Sequence, residues 1–285
     1  MVENIKVNRV HSTVMFIQLA KDGIFPITRD KAGNPLKKLP ASGFTFPGTI
    51  QGEGKLNGIP SLFIRLAGCN LHCCWQTPEG VVECDTAYAA FKIEESFRLP
   101  VTDITRIVKH NRENIRHIII TGGEPLLQAE GVLMLCRELK KEYPFHITLE
   151  TNGTLFNEAC AAEIDFFSIS PKLASSTPPS PHDRRHSTTR INLGNIQSFI
   201  THARQYGKDF QLKFVYSAEH DGEEIKKILT QLTDWRNEDI LLMPMGATPE
   251  ELQRTIPKTL EHCIRNGWRY CDRLHLSLFG NKQGV

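Results

Sequence analysis

Cys69, Cys73, Cys74 and Cys84 fall within sixteen residues of this 285-residue chain, the first three on a segment reading Gly-Cys-Asn-Leu-His-Cys-Cys-Trp at 68–75. Cysteines so spaced on a loop can point several thiolates at one centre, and thiolate is the ligand of iron–sulfur clusters and of zinc. Three such ligands suit a four-iron cluster that keeps one iron open. A fourth, Cys74, suits a closed structural zinc site instead. The remaining cysteines, Cys136, Cys160, Cys263 and Cys271, are scattered, and the segments around Cys136 and Cys263 read as helices with the cysteine at a core or half-buried position.

Other residues with chemical potential stand at the ends of β-rich runs. Gly122 and Gly123 follow Thr121 and let backbone approach a ligand closely, while Glu150 and Ser170 lie at or just beyond strand ends, the edge where barrel enzymes place their chemistry. Arg65 lies within an apolar strand, and a buried guanidinium needs a partner, for which an internal salt bridge suffices. The stretch 174–190 is rich in Pro, Ser, Thr and Arg and reads as a long polar loop. Its His182, Arg184, Arg185, His186 and Arg190 are expected to be solvated rather than bound to phosphate or RNA, because no aromatic residues interleave with them.

The elements that position these residues follow from periodicity. Strands are expected at 61–66, 117–121, 146–150, 164–169, 210–216, 240–243 and 268–275, with helices at 102–111, 129–142, 192–206, 223–233 and 248–266. Strands alternating with helices are the sign of a parallel sheet built from strand–helix units. Thr102 and Asp103 are expected to cap one helix, and Thr-Pro-Glu-Glu at 248–251 to open another. The first 45 residues lack this rhythm, and 21–40 reads as a loop or an appended hairpin arm.

Composition narrows the class. With 34 basic and 32 acidic residues the net charge is +2, and 40% of residues are hydrophobic. That excludes an acidic disordered chain and a strongly basic nucleic-acid binder. The charged start at 1–14 carries no visible secretory signal and no apolar run approaches membrane-spanning length, so a cytoplasmic protein with reduced cysteines is expected.

The cluster segment and its flanks resemble a known family. Cys69 and Cys73, an aromatic residue, and Cys-Asp-Thr at 84–86 are similar to the cluster loop of radical S-adenosylmethionine (SAM) enzymes, normally Cys-x3-Cys-x2-Cys. Further stretches resemble, in order, the 7-carboxy-7-deazaguanine synthases of the queuosine pathway. They are Thr-Ile-Gln-Gly-Glu-Gly at 49–54, Phe-Ile-Arg-Leu-Ala-Gly-Cys at 63–69, Thr-Gly-Gly-Glu-Pro at 121–125, Glu-Thr-Asn-Gly at 150–153, Ser-Pro-Lys at 170–172 and the ending Gly-Asn-Lys-Gln-Gly-Val at 280–285. The departure is an eight-residue insert, 76–83, that puts Gln76 where the family has its third cysteine. A longer surface loop costs little closure entropy, so Cys84 can still be delivered beside Cys69 and Cys73.

The resemblance implies an α/β fold, an incomplete, open TIM-like (β/α) barrel of about six to seven mostly parallel strands over 46–285, with 1–45 as an appendage. It implies a 4Fe-4S cluster on Cys69, Cys73 and Cys84, Mg2+ on Thr86, and SAM held by Trp75, Asp85, Gly123, Glu150, Ser170, Pro171, Lys172, Met243, Pro244 and Met245. The substrate contacts implied are Ile50, Gln51, Gly52, Glu53, Arg65, Thr121, His275 and the carboxylate of Val285, with Arg65 on the carboxylate of a 6-carboxytetrahydropterin. The activity implied is that of a carbon–nitrogen lyase: reductive cleavage of SAM and hydrogen abstraction from C6 of 6-carboxy-5,6,7,8-tetrahydropterin. A magnesium-aided ring contraction then releases ammonia, yields 7-carboxy-7-deazaguanine and regenerates SAM. An electron donor such as flavodoxin or ferredoxin and a homodimer are implied as partners, with neither membrane nor direct nucleic-acid contact. Two other readings of the cluster loop are a glycyl-radical activase and a non-catalytic zinc-bound scaffold.

Overall fold

The computed structural model describes residues 14–77, 80–280 and 282–285. Met1 to Thr13 of the charged start, Pro78 and Glu79 of the insert, and Asn281 of the terminal motif lie outside the described residues. The strands are β1 (Phe16–Phe25), β2 (Thr49–Ile50), β3 (Pro60–Leu66), β4 (Cys74–Thr77), β5 (Gly80–Glu83), β6 (Ser96–Pro100), β7 (His117–Gly122), β8 (His146–Thr151), β9 (Phe166–Ile169), β10 (Asp209–Tyr216), β11 (Ile240–Pro244) and β12 (Arg269–Tyr270). The helices are α1 (Ala87–Ala90), α2 (Val101–Asn111), α3 (Ala129–Glu142), α4 (Glu158–Glu163), α5 (Asp183–Thr189), α6 (Leu193–Gln205), α7 (Glu219–Leu229), α8 (Pro249–Asn266) and α9 (Leu274–Phe279).

The main sheet runs β12-β11-β10-β9-β8-β7-β3-β1-β6, with β2 also on β3. From β3 to β12 the neighbouring strands are parallel, as the alternation of strand and helix patterns predicts. One face of these strands supplies the core: Ile64, Ile120, Leu149, Phe167 and Leu212 pack with Val132, Leu135 and Cys136 of α3 and with Ile196 and Phe199 of α6. Alternation by two puts the next residues, Arg65, Thr121, Glu150, Ser168 and Lys213, on the opposite face. The register sets Arg65 beside Thr121 and Glu150 beside Ser168. A polar inner surface backed by a packed outer one is the arrangement of an open barrel. At its last strands α8 packs on β11 and β12, and it begins as expected, with Thr248 Oγ1 accepting from Glu251 N at 3.3 Å.

Several local expectations are corrected. Residues 16–25, within the expected appendage, form a strand of the sheet: β1 pairs antiparallel with β3 and β6 and buries Ile17 and Leu19. The last strand is two residues long instead of 268–275, because Arg273 turns inward to the carboxylates of Glu53 and Asp85 and Leu274 N bonds Gly52 O at 2.9 Å, which starts α9. Thr102 and Asp103 do not cap α2; Pro100 precedes its first turn, and Asp103 instead pairs with Lys31 at 2.6 Å. The polar stretch 174–190 contains α5, held by a buried His186 on Ser176 and by Arg190 on Glu224 at 2.5 Å. Those two residues are therefore structural, while Arg184 and Arg185 are exposed as expected. Cys136 and Cys263 are buried helix positions, again as expected.

Candidate active site

The described residues of the insert, with Cys74 and Trp75 before them, form the paired strands β4 and β5, in which Cys74 pairs with Glu83 and Trp75 with Val82. Because two antiparallel strands return the chain to its starting point, the residue after β5 lands beside the residue before β4. Cys84 N accordingly bonds Cys73 O at 3.0 Å. Alternation along β4 turns Trp75 toward a cavity and Cys74 away from it: Cys69, Cys73, Trp75 and Cys84 line the cavity and Cys74 does not. Cys69, Cys73 and Cys84 pack in one cluster with Leu71, Trp75, Val215 and Met245, and all eight cysteines are free.

Gly122 and Gly123 both line the cavity and also meet neighbouring backbone. A Cβ on Gly123 would stand 2.1 Å from Gly68 O, and one on Gly122, at φ +141°, the same distance from Leu66 O. The close approach is thus between the ends of β3 and β7 and the residues that follow them, and it seats the Cys69 segment against β7, with Glu124 N donating to Gly68 O at 2.8 Å. Glu124 is fully buried and accepts from Thr151 Oγ1 and from the backbone N of Leu126 and Asn152. Asn152 Nδ2 in turn donates to Asn70 Oδ1 at 3.0 Å.

The cavity measures about 480 Å³, within the usual range for a site that encloses small molecules. Every residue that the resemblance assigns to the site lines it except Pro171, which is buried outside the lining. Ile50, Gln51, Gly52, Glu53, Arg65, Thr121 and Glu150 are among the lining residues. Cys69, Cys73, Cys84, Asp85 and Thr86 join them; Gly123, Ser170, Lys172, Met243, Pro244 and Met245 come from the strand ends, and His275 and Val285 from the terminus. Gln51 Nε2 and Thr121 Oγ1 both donate to Glu150, at 3.0 and 2.7 Å. Lys172 donates to Ser170 Oγ at 2.9 Å. Gly52 is required by His275, whose Nδ1 would lie 2.7 Å from a Cβ there.

Charge in the cavity is arranged as a chain through the buried Lys213 and Arg273, with Glu53 half-buried and Asp85 exposed. Glu53 Oε2 pairs with Lys213, its Oε1 with Arg273 Nε at 3.3 Å, and Arg273 also reaches Asp85 Oδ2 at 2.6 Å and Gly246 O at 2.7 Å. Burial raises the Glu53 carboxyl, but Lys213 and Arg273 outweigh it and hold it well below the usual carboxylate range. The same contest, won by Arg273, lowers Asp85. Burial drives the Cys73 thiol upward and pushes Cys84 to about 11, with Asp85 adding to the second. Any metal bound there displaces protons. The Thr86 hydroxyl is not spent on capping α1; it lies 3.3 Å from Cys84 Sγ.

Residues 63–232 match the radical SAM superfamily. A 7-carboxy-7-deazaguanine synthase of Halobacterium salinarum is 37% identical over 246 residues, which cover 82% of this chain and 88% of that protein. The chain belongs to the 7-carboxy-7-deazaguanine synthase family. The enzyme of that name from Rhodopirellula baltica is 34% identical over 82% of this chain and 85% of its own length. The structure of QueE from Escherichia coli, 23% identical, matches the fold with a TM-score of 0.59 over 88% of this chain and 95% of that one. As a radical SAM protein the chain uses a 4Fe-4S cluster and SAM. Among the described residues no three His, Cys, Asp or Glu side chains converge as tightly as one metal ion requires. A four-iron cluster spreads its thiolates over separate irons, and Cys69, Cys73 and Cys84 line one cavity.

Two further residues of the site, and one behind its wall, lie outside the family motifs. Lys213 sits in Asp-Phe-Gln-Leu-Lys-Phe-Val-Tyr, a charge inside an apolar strand, the same signal that marks Arg65. Arg273 falls in the stretch expected as a strand, and nothing local distinguishes it. Asp22, which accepts from Arg65 Nε at 2.8 Å, falls in the stretch expected as a loop or arm.

Proposed function

We propose that this protein contracts the ring of 6-carboxy-5,6,7,8-tetrahydropterin to 7-carboxy-7-deazaguanine with release of ammonia. The observation that carries the reading is the hairpin that returns Cys84 to Cys73 on the wall of a cavity whose other walls are the family's motifs. The residues fit the groups that the reaction needs. Cys69, Cys73 and Cys84 would hold the cluster through three thiolates. Trp75, whose buried Nε1 has no protein partner among the described residues, would face SAM with Glu150, Ser170 and Lys172. Bound together, the cluster and SAM supply one-electron chemistry that yields a hydrogen-abstracting radical.

The chain's own residues do the rest. Gln51 and Thr121 fix Glu150, and the terminus, with His275 and Val285, encloses the substrate and excludes water. Arg65 faces the pterin carboxylate from the cavity wall, and Thr86 offers a hydroxyl to Mg2+, a hard cation that prefers oxygen. This reading carries with it a one-electron donor such as flavodoxin or ferredoxin, a homodimer and a cytoplasmic setting, supported by the family resemblance. No helix among the described residues is long and apolar enough to cross a membrane. The test is anaerobic reconstitution with iron and sulfide, then incubation with SAM, reductant, magnesium and the carboxypterin. The deazaguanine product and ammonia are expected in equal amounts. A reconstituted protein that cleaves SAM but leaves the pterin intact refutes the reading.

A further inference from the structure

Strand β1 does not follow its neighbour evenly. Leu19 is opposite Leu66 and Ile24 opposite Ile64, so β1 takes five steps while β3 takes two. The surplus is a bulge at residues 20–23, closed by Gly23 at φ +53°. Bulges re-aim side chains, and they recur beside active sites. This one delivers Asp22 behind the cavity wall. Its Oδ2 accepts twice, from Arg65 Nε at 2.8 Å and from the Tyr88 hydroxyl at 2.7 Å. The guanidinium is also held between rings, its carbon 4.9 Å from the Phe25 centroid and 5.9 Å from that of Tyr88. Phe25, Arg65 and Tyr88 line the cavity and Asp22 does not.

We propose that Asp22 is a positioning residue for recognition of the substrate's carboxylate: it grips Arg65 by Nε and, with Tyr88, turns the two Nη groups toward the cavity. The inference rests on the function proposed above. Its logic is geometric. A guanidinium presents its donors in a fixed plane, so binding one edge aims the others. Without that grip Arg65 is free to swing onto Glu150, which shares the cavity. Asp22 carries a charge that opposes the incoming carboxylate, so its contribution is orientation and not attraction. The other oxygen, Oδ1, is buried without a partner among the described residues. Both donors therefore share a single oxygen, and a neutral amide can keep that oxygen in place.

The experiment compares Asp22→Ala and Asp22→Asn for KM, kcat, SAM affinity, iron content and Tm. Asp22→Ala should raise KM for the carboxypterin about tenfold or more, with kcat and SAM affinity within about twofold. Asp22→Asn should return KM to within about threefold of the wild type even though its buried amide lowers Tm. In an Arg65→Gln background Asp22→Ala should have no further effect on KM. A wild-type KM in Asp22→Ala overturns the inference, as does an Asp22→Asn variant as impaired as Asp22→Ala, which would mean mere charge balance. If Asp22→Ala fails to fold, Tyr88→Phe decides: it keeps the ring, removes one donor to Asp22 and should raise KM about threefold, and no rise overturns the inference. Absence of pterin turnover in the wild type would strike the proposed function instead. The grip itself would then be read from the Arg65 Nε–H resonance, which should be slow to exchange in the wild type and fast in Asp22→Ala; equal exchange in both overturns it.

Discussion

Replacing Glu53 by Gln tests the charge chain most directly. The side chains of Glu53, Lys213 and Arg273 are 16%, 10% and 9% exposed, and Glu53 supplies an oxygen to each cation. Each contact at an effective dielectric near 20 is worth on the order of 4 kcal/mol before desolvation. Gln removes the charge and leaves the buried Lys213 facing an amide that accepts through one atom only, while Arg273 keeps Asp85. Stranding a buried partner costs about 3–5 kcal/mol. At roughly 2–4 °C per kcal/mol for a large domain, Tm should fall by about 6–20 °C. Scanning calorimetry of the cluster-free protein measures it without interference from iron. Lys213→Met alone should cost less, because Arg273 still holds Glu53, and Glu53→Gln with Lys213→Met should be less damaging than the sum. Since Glu53 is held below its usual range, its contribution is present above the unfolded carboxyl value of about 4.3 and is lost only as pH falls through the depressed one. The deficit of Glu53→Gln should therefore be constant above about pH 6. A Tm within about 2 °C of wild type, which corresponds to no more than about 1 kcal/mol, or strictly additive variants, would refute the reasoning.

Other outcomes follow from the same geometry. Alanine at Cys69, Cys73 or Cys84 should abolish iron uptake on anaerobic reconstitution, while Cys74→Ala should retain it; the reverse for Cys74 and Cys84 contradicts the hairpin argument. Thr86→Val should weaken the magnesium dependence of turnover without loss of iron, and an unchanged magnesium titration removes Thr86 from the metal site. Because Val285 lines the cavity, a bulky extension fused after it should raise KM about tenfold or more with Tm and iron content preserved; full activity would show the terminal carboxylate to be dispensable. His117 is buried between Ser61 and Thr148, and burial, with His146 adding, lowers it to about 4. Its folded value lies below its unfolded one, so the stability it carries is full above about pH 6.5 and is lost toward about pH 4. Between about pH 7 and 5 the loss should be about 2 kcal/mol. Urea titrations should show a shallower pH dependence in His117→Gln, and an identical slope would dismiss the assignment.

The amino-acid sequence by itself determined the parallel strand–helix alternation, because core periodicity is written locally: Ile118, Ile120, Ile147 and Leu149 repeat every second residue whatever their partners. The resemblance of its motifs to a known family also named residues that gather: all but Pro171 of them line one cavity. Tertiary structure alone decided what depends on pairing over distance. That the hairpin register returns Cys84 to Cys73, and that alternation keeps Cys74 off the cavity, is not visible in spacing. The place of β1 rests on partners from Phe63 to Pro100 and on a bulge that no local pattern announces. Arg273 looks like part of a strand because nothing local says that its guanidinium will end on Glu53 and Asp85. Those two carboxylates come from remote turns of the chain, and the free energy of burying a charge is set by such partners rather than by neighbours in sequence.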